Sequence, residues 1–222
     1  MKPKTLIVIV GPTATGKTLL SIDLALEYST EILSADSRQF YKEMNVGTAK
    51  PKMDLLLKVK HHFVDFLSIN DYYNAYLYEK SGLDVLKNIF EHRDVAICVG
   101  GSGLYIKALC SGIDELPDIN EKIRDKYNTL YKEKGIEVLQ EILKEKDLEY
   151  YNVVDKKNPV RLIRALEVIE ISGKKFSELR SGLKKKRSFN IIKIGLNGDI
   201  KDIESRIKER VKEMIKEGFI DE

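Results

Sequence analysis

The stretch Gly11-Pro12-Thr13-Ala14-Thr15-Gly16-Lys17-Thr18 leaves this chain few folds to choose from. It is entered directly from the apolar run Leu6-Ile7-Val8-Ile9-Val10 and fits the phosphate-loop pattern G-x-x-x-x-G-K-[ST] at every fixed position. Such a loop works only between a buried strand, which delivers the chain, and a helix whose positive N-terminal end faces the bound anion. Glycines let backbone N–H groups curl around phosphate oxygens, Lys17 adds a mobile charge, and the Thr18 hydroxyl can complete an Mg²⁺ shell. Residues 19–28 read as that helix. The pattern predicts an α/β fold with a phosphate-loop (P-loop NTPase-like) parallel sheet and a di- or triphosphate ligand.

Length allows one large domain, or a core with an insertion. A hydrophobic fraction of 43% beside 33% charged residues is that of a soluble globular chain, and no apolar run approaches the ~20 residues of a membrane span. Met1-Lys2-Pro3-Lys4 passes straight into the first strand, so no signal or transit peptide is read. Cys98 and Cys110 have no metal or disulfide spacing and are expected as buried, reduced thiols in a cytoplasmic protein. Charge is uneven: residues 156–187 hold eleven Lys and Arg against three acids, a local +8, which leaves −5 for the rest of a chain of net charge +3. A basic block of this kind fits a polyanion partner; the plain alternative is a solvated charged face.

Glu31-Ile32-Leu33-Ser34-Ala35 reads as a second strand, and Asp36 follows at its carboxyl end, where open α/β sheets hold their ligands. His61 and His62 resemble ligands, but neighbours on an extended chain point opposite ways, so they are read as loop anchors. Residues 74–93 read as a helix that feeds the strand Val95–Val99. Gly100-Gly101-Ser102-Gly103 then forms a second glycine-rich turn at the same sheet edge, where another group, or another part of one ligand, is expected to approach the backbone. Beyond Leu116-Pro117-Asp118 the patterns are helical only. The clearest helix opens with Asn158 as cap and Pro159 at its first position, with Leu162, Ile163, Leu166 and Ile169 on one face and Arg161 and Arg164 opposite. Strand pattern returns at residues 190–196, followed by a helix from Ile200 to Glu217 on which Arg210 falls just inside the apolar stripe and Arg206 farther out. An arginine so placed meets an anion or a core carboxylate. The expected organisation is a P-loop core over 1–117, a helical insertion over 118–188, and a return to the core over 189–222. The closing residues have no tail-like composition, and the chain is expected to continue.

Taken together, the sequence resembles the tRNA dimethylallyltransferase family, the bacterial-type tRNA isopentenyltransferases. The resemblance is carried by residues 11–18, by Ser-Ala-Asp-Ser-Arg-Gln at 34–39 with Tyr41, by Val-Gly-Thr-Ala-Lys-Pro at 46–51, and by His-His-Phe-Val-Asp at 61–65. It continues through Gly-Gly-Ser-Gly-Leu-Tyr at 100–105, Asn158-Pro159, Arg161-Leu162, Arg164–Glu167, Ser172-Gly173-Lys174, Arg206-Ile207 and Arg210-Val211. Ser102 stands where the family usually has threonine, which keeps a hydroxyl.

The resemblance implies transfer of a dimethylallyl group from dimethylallyl diphosphate to N6 of adenosine-37, just 3′ of the tRNA anticodon, with Mg²⁺ bridging the diphosphate. It implies that Gly11, Pro12, Thr13, Ala14, Thr15, Gly16, Lys17 and Thr18 hold the diphosphate, with Thr18 on the metal. Asp36 is implied as general base, and Thr13, Lys17 and Arg210 as stabilisers of the leaving group. Asp36, Ser37, Arg38, Gln39, Ser102, Arg124 and the turn Val160, Arg161, Leu162, Ile163 and Arg164 are implied as contacts to the anticodon stem-loop of tRNA. A monomer is expected, with no membrane partner. The nearest rival is an adenylate isopentenyltransferase acting on free AMP, ADP or ATP, for which a basic helical insertion has no use. A P-loop small-molecule kinase would need an adenine site and a basic lid, and the chain shows neither; nor does it show the Asn-Lys-x-Asp of a GTPase.

Overall fold

The computed structural model describes residues 3–222, which form two compact units. The first comprises the residues up to Ile113 together with Lys184–Glu222, and the second is Asp114–Leu183. In the first unit, chain order gives β1 (Thr5–Val10), α1 (Lys17–Glu27), β2 (Ile32–Ser34), α2 (Met53–Leu56), β3 (His61–His62), α3 (Ala75–His92), β4 (Val95–Val99) and α4 (Gly103–Ser111). The second unit carries α5 (Glu121–Lys134), α6 (Ile136–Lys146), α7 (Leu148–Val153), α8 (Pro159–Ser172) and α9 (Phe176–Leu179). The chain then re-enters the first unit through β5 (Asn190–Gly195) and α10 (Ile200–Lys216).

All pairings in the five-stranded sheet are parallel, in the order β3-β2-β4-β1-β5. Val8 lies opposite Cys98, and Cys98 opposite Leu33, so the central strands share one register. Alternation along a strand sorts the side chains onto two faces. Leu6, Val8, Leu33, Ala96 and Cys98 join one core with Leu86 and Ile89 of α3 and with Ile106 and Leu109 of α4. Ile7, Ile9, Ile32, Ile97 and Val99 join the other core with Ile22 and Ala25 of α1. Burial on both faces is why these strands read as continuous apolar runs and not as alternating ones. At about 1.5–3 kcal/mol per fully buried aliphatic side chain, the two cores are the main force holding β1 where it delivers the phosphate loop.

The edge differs from the centre. On β5 only Ile191 and Ile194 are half-buried, and no residue of α10 is buried. The two histidines, read as loop anchors, form the short strand β3 beside β2, with His61 opposite Ile32 and His62 opposite Leu33. Cys98 and Cys110 are free and buried, and burial pushes the Cys98 thiol up to about 12. Among the described residues, no helix is long and apolar enough to cross a membrane.

The second unit packs around Leu139, Leu143, Leu162, Ala165, Leu166 and Val168. Its α8 starts as the sequence predicts. The Asn158 side chain accepts from the Arg161 N–H at 3.3 Å, Pro159 takes the first turn, and Gly173 ends the helix at φ 68°.

Candidate active site

The loop after β1 carries three positive φ angles, at Gly11 (150°), Ala14 (61°) and Gly16 (87°). At Ala14 this conformation costs roughly 1–2 kcal/mol, a strain kept because the β1 and α1 cores fix both loop ends. The Thr15 hydroxyl braces the turn by donating to the Pro12 carbonyl at 2.9 Å. Lys17 donates to the carbonyls of Gly11 (2.9 Å) and Pro12 (2.6 Å), so its ammonium lies across the loop mouth. Its pKa is lowered, first by burial and then by the nearby Arg210, with Asp36 opposing. A partly desolvated cation beside another cation gains most from an arriving anion.

Asp36 follows β2 and is half-buried; its carboxylate accepts from the Arg38 N–H at 3.1 Å, which fixes the turn. The segment is held from several sides. Ser102 donates its N–H to the Ala35 carbonyl (3.0 Å), and its hydroxyl accepts from the Ser37 N–H (2.9 Å). A Cβ on Gly100 would stand 2.3 Å from the carbonyl carbon of Ala35, so the first glycine of this turn admits the chain's own Ala35, while Gly101 beside it is open and lines the same cavity as the phosphate loop. Behind the segment, buried Phe40 stacks on Tyr78 (5.7 Å, 16°) and meets Phe66, Tyr73 and Tyr105 edge-on, while the Tyr78 hydroxyl donates to the Ser34 carbonyl at 2.9 Å. Burial drives the Tyr105 hydroxyl up to about 12. Gln39 is also committed: its amide donates to the carbonyls of Thr48 and Ala49 at 3.2 Å each, whereas Arg38 is exposed.

A cavity of about 750 Å³ brings the phosphate loop together with Asp36, Lys50, His61, Arg206 and Arg210. Arg210 is half-buried and donates to the Thr13 hydroxyl at 3.1 Å; Arg206 is exposed and reaches the Ala14 carbonyl at 3.5 Å. Among the described residues neither arginine forms an ion pair, so Arg210 has no core carboxylate to meet. Sequence reasoning missed the part His61 plays in this wall. Its Nδ1 lies 2.8 Å from the Val59 carbonyl, its Nε2 is buried without a partner, and burial lowers its pKa. His62 instead reaches Glu31 at 2.5 Å, beside Lys60 at 3.1 Å.

In the second unit the expected arginine pair divides. Arg161 is exposed, as is Val160, but Arg164 bonds Glu167 at 2.9 Å and the Pro117 carbonyl at 2.5 Å. Arg124 also reaches Glu167 at 2.9 Å, and the Asn120 N–H donates to the same carboxylate at 2.8 Å. Glu167 is fully buried, and a buried carboxylate persists only when paired and hydrogen-bonded, which draws Arg164 from the solvent side. Leu162 and Ile163 are turned into the unit's own core. The basic block is thinned further in the first unit, where Lys185 (3.1 Å) and Arg187 (2.9 Å) pair with buried Glu79. Burial raises the Glu79 carboxyl, but Arg187, the Ile113 N–H and Lys185 outweigh it, and the net shift is downward.

With this geometry in hand, comparison with known proteins is specific. A family model described as IPP transferase matches residues 39–222. A tRNA dimethylallyltransferase of Azobacteroides pseudotrichonymphae is 47% identical over 219 residues, covering 99% of this chain and 71% of that protein. Among solved structures, the tRNA isopentenylpyrophosphate transferase of Bacillus halodurans aligns with TM-score 0.63 and 30% identity, over 99% of this chain and 68% of that one. A eukaryotic dimethylallyltransferase described as acting on tRNA aligns with TM-score 0.77 over 98% of this chain and 54% of that one, and at 23% identity it bears on the fold alone.

Proposed function

Because the chain belongs to the IPP transferase family, we propose that it transfers a dimethylallyl group from dimethylallyl diphosphate to N6 of adenosine-37 in tRNA, releasing diphosphate. The observation that carries this reading is the meeting of a phosphate loop, a strand-end carboxylate and unpaired arginines in one cavity.

An exocyclic aromatic amine is a weak nucleophile, so orientation and removal of its proton supply much of the acceleration. N6 forms a bond to the allylic carbon as the carbon–oxygen bond to diphosphate breaks. The N6 proton passes to the Asp36 carboxylate, and the bonding electron pair leaves on the diphosphate. Backbone N–H groups of the phosphate loop, with Lys17, Thr13 and Arg210, meet the additional negative charge that grows on the diphosphate toward the transition state. The target adenine leaves its stack to reach Asp36.

Mg²⁺ fits as a diphosphate-bound ion. Thr18 offers one hydroxyl, and no group of three or more His, Cys, Asp or Glu able to hold a metal occurs among the described residues. Mg²⁺ is commonly held by few protein ligands and by substrate phosphates, and when bound here it would neutralise part of the departing charge. For tRNA, the exposed groups are Arg38, Val160 and Arg161. Ser37 and Ser102 are half-buried and bonded to one another, and Leu162 and Ile163 contribute through backbone at most. The nucleotide-prenylating rival lacks support from the relatives' names, which specify tRNA.

The test is transfer of labelled dimethylallyl diphosphate with tRNA, AMP and ATP as competing acceptors. Label is expected in tRNA alone and is expected to fall when adenosine-37 is replaced. Label in free nucleotide, or phosphoryl transfer from ATP, would overturn the reading.

A further inference from the structure

α10 has an anchoring problem. It carries Arg206 and Arg210 to the phosphate loop, yet none of its residues is buried, and its bonds to Thr13 and Ala14 are 3.1 and 3.5 Å long. Its N-terminal end is tied by a short connection to β5, and Ile203 packs beside Gly198. The other end is held by a clasp. The Glu222 carboxylate accepts from the backbone N–H groups of Asn45, Val46 (3.0 Å) and Gly47 (2.7 Å). The Phe219 ring lies against Gly47, so closely that a Cβ there would stand 2.6 Å from the ring. Lys52 and Glu217 add a loose pair at 3.5 Å.

The loop that receives Glu222 is itself hydrogen-bonded to the Asp36 segment. Gln39, three positions beyond Asp36, donates to the carbonyls of Thr48 and Ala49. Lys50 donates to the Tyr41 carbonyl at 2.5 Å and to Asn45 at 2.9 Å, and it pairs with Asp65. The connections therefore close a ring around the cavity: Asp36 to Gln39, loop 45–50 to Glu222, and α10 back to Thr13 through Arg210. Glu222 is exposed, so water weakens each of these bonds, but three convergent N–H groups fix the position of one carboxylate better than the single surface ion pair beside them.

We propose that Glu222 is a positioning residue for the prenyl transfer, its carboxylate latching the end of α10 onto loop 45–47 and so holding Arg210 against the phosphate loop at a fixed distance from Asp36. This rests on the functional reading above. Glu222 touches no reacting atom; it acts through Arg210. Phe219 is the apolar half of the same latch.

The experiment is a double-mutant cycle in the full chain, read by titration with inorganic diphosphate and by steady-state prenylation. Glu222→Gln keeps the shape but presents an amide to three N–H donors. It is expected to weaken diphosphate about tenfold, a displacement effect of modest size, with the KM for dimethylallyl diphosphate rising in step. The KM for tRNA and the melting temperature should hold, and Glu222→Asp should recover part of the loss. In an Arg210→Lys background, Glu222→Gln should cost less than about twofold more, because both changes act on one contact. Phe219→Ala should give the same signature. Full additivity with Arg210→Lys, an unchanged diphosphate affinity, or a loss shared equally by tRNA affinity and melting temperature would each overturn the latch. Diphosphate titration needs no transfer, so a chain that binds diphosphate without prenylating tRNA would refute the function and leave the latch to be decided by the cycle.

Discussion

Arginines at the cavity and arginines in the helical unit have opposite kinds of partner. Arg206 and Arg210 contact a carbonyl and a hydroxyl, neutral acceptors that leave their charge uncompensated beside Lys17. Arg124 and Arg164 converge on one buried carboxylate, and Glu167 takes up what they offer. Lys185 and Arg187 on Glu79 repeat the second arrangement within the first unit. Three cations gathered in one cavity without a direct ion-pair partner cost free energy and persist where an anion completes them. Paired cations are structural until shown otherwise, however basic the stretch that contains them.

That contrast can be broken first at Lys17. Lys17→Ala should lower the saturated transfer rate by roughly 10²–10³, the usual loss for one donor to a leaving group's charge, with little change in thermal stability. A normal rate would place the diphosphate elsewhere. Next in size, Glu167→Ala should lower unfolding stability by about 3 kcal/mol, the low end for breaking a buried pair, since both arginines keep some water contact. Urea unfolding reads this, and unchanged stability with lost tRNA binding would move Arg164 into the functional class.

A smaller effect belongs to Glu79. Its folded pKa lies below the ordinary 4.5, so its stabilising contribution is complete above that value and is lost as pH falls through the lowered one. Acid titration of stability should be flatter in Glu79→Gln below about pH 4.5 and offset downward at neutral pH. A slope identical to wild type would mean that the ring of partners is not formed. The smallest effect is expected at Arg161. Arg161→Ala should weaken all substrate tRNAs by a similar small factor and reduce the salt slope of binding by about one unit. Loss confined to one tRNA would point to base reading instead.

Much of the fold is legible because its signals are local. The phosphate loop, the apolar strands buried on both faces, and the Asn158-Pro159 start of α8 each follow from residues adjacent in sequence. Even the half-burial of Arg210 follows from helical period. What the sequence withholds depends on partners far along the chain. Arg164 looks solvent-facing on a wheel, and only the position of Glu167 one turn on, shared with Arg124 from another helix, turns it inward. Gly100 reads as part of a ligand turn, and nothing local says that Ala35 will also press against it. His61 and His62 look equivalent, yet one buries an unpartnered nitrogen in the cavity wall and the other meets Glu31.

The central claim is that Asp36, in the cavity of the phosphate loop, takes the proton from the acceptor amine. Single-turnover prenylation with saturating dimethylallyl diphosphate and tRNA, wild type against Asp36→Asn, tests it most directly. The expected result is a rate lower by roughly 10²–10⁴ with tRNA affinity nearly unchanged. An Asp36→Asn chain that turns over at the wild-type rate would contradict it and leave Asp36 as no more than the cap its bond to the Arg38 N–H makes it.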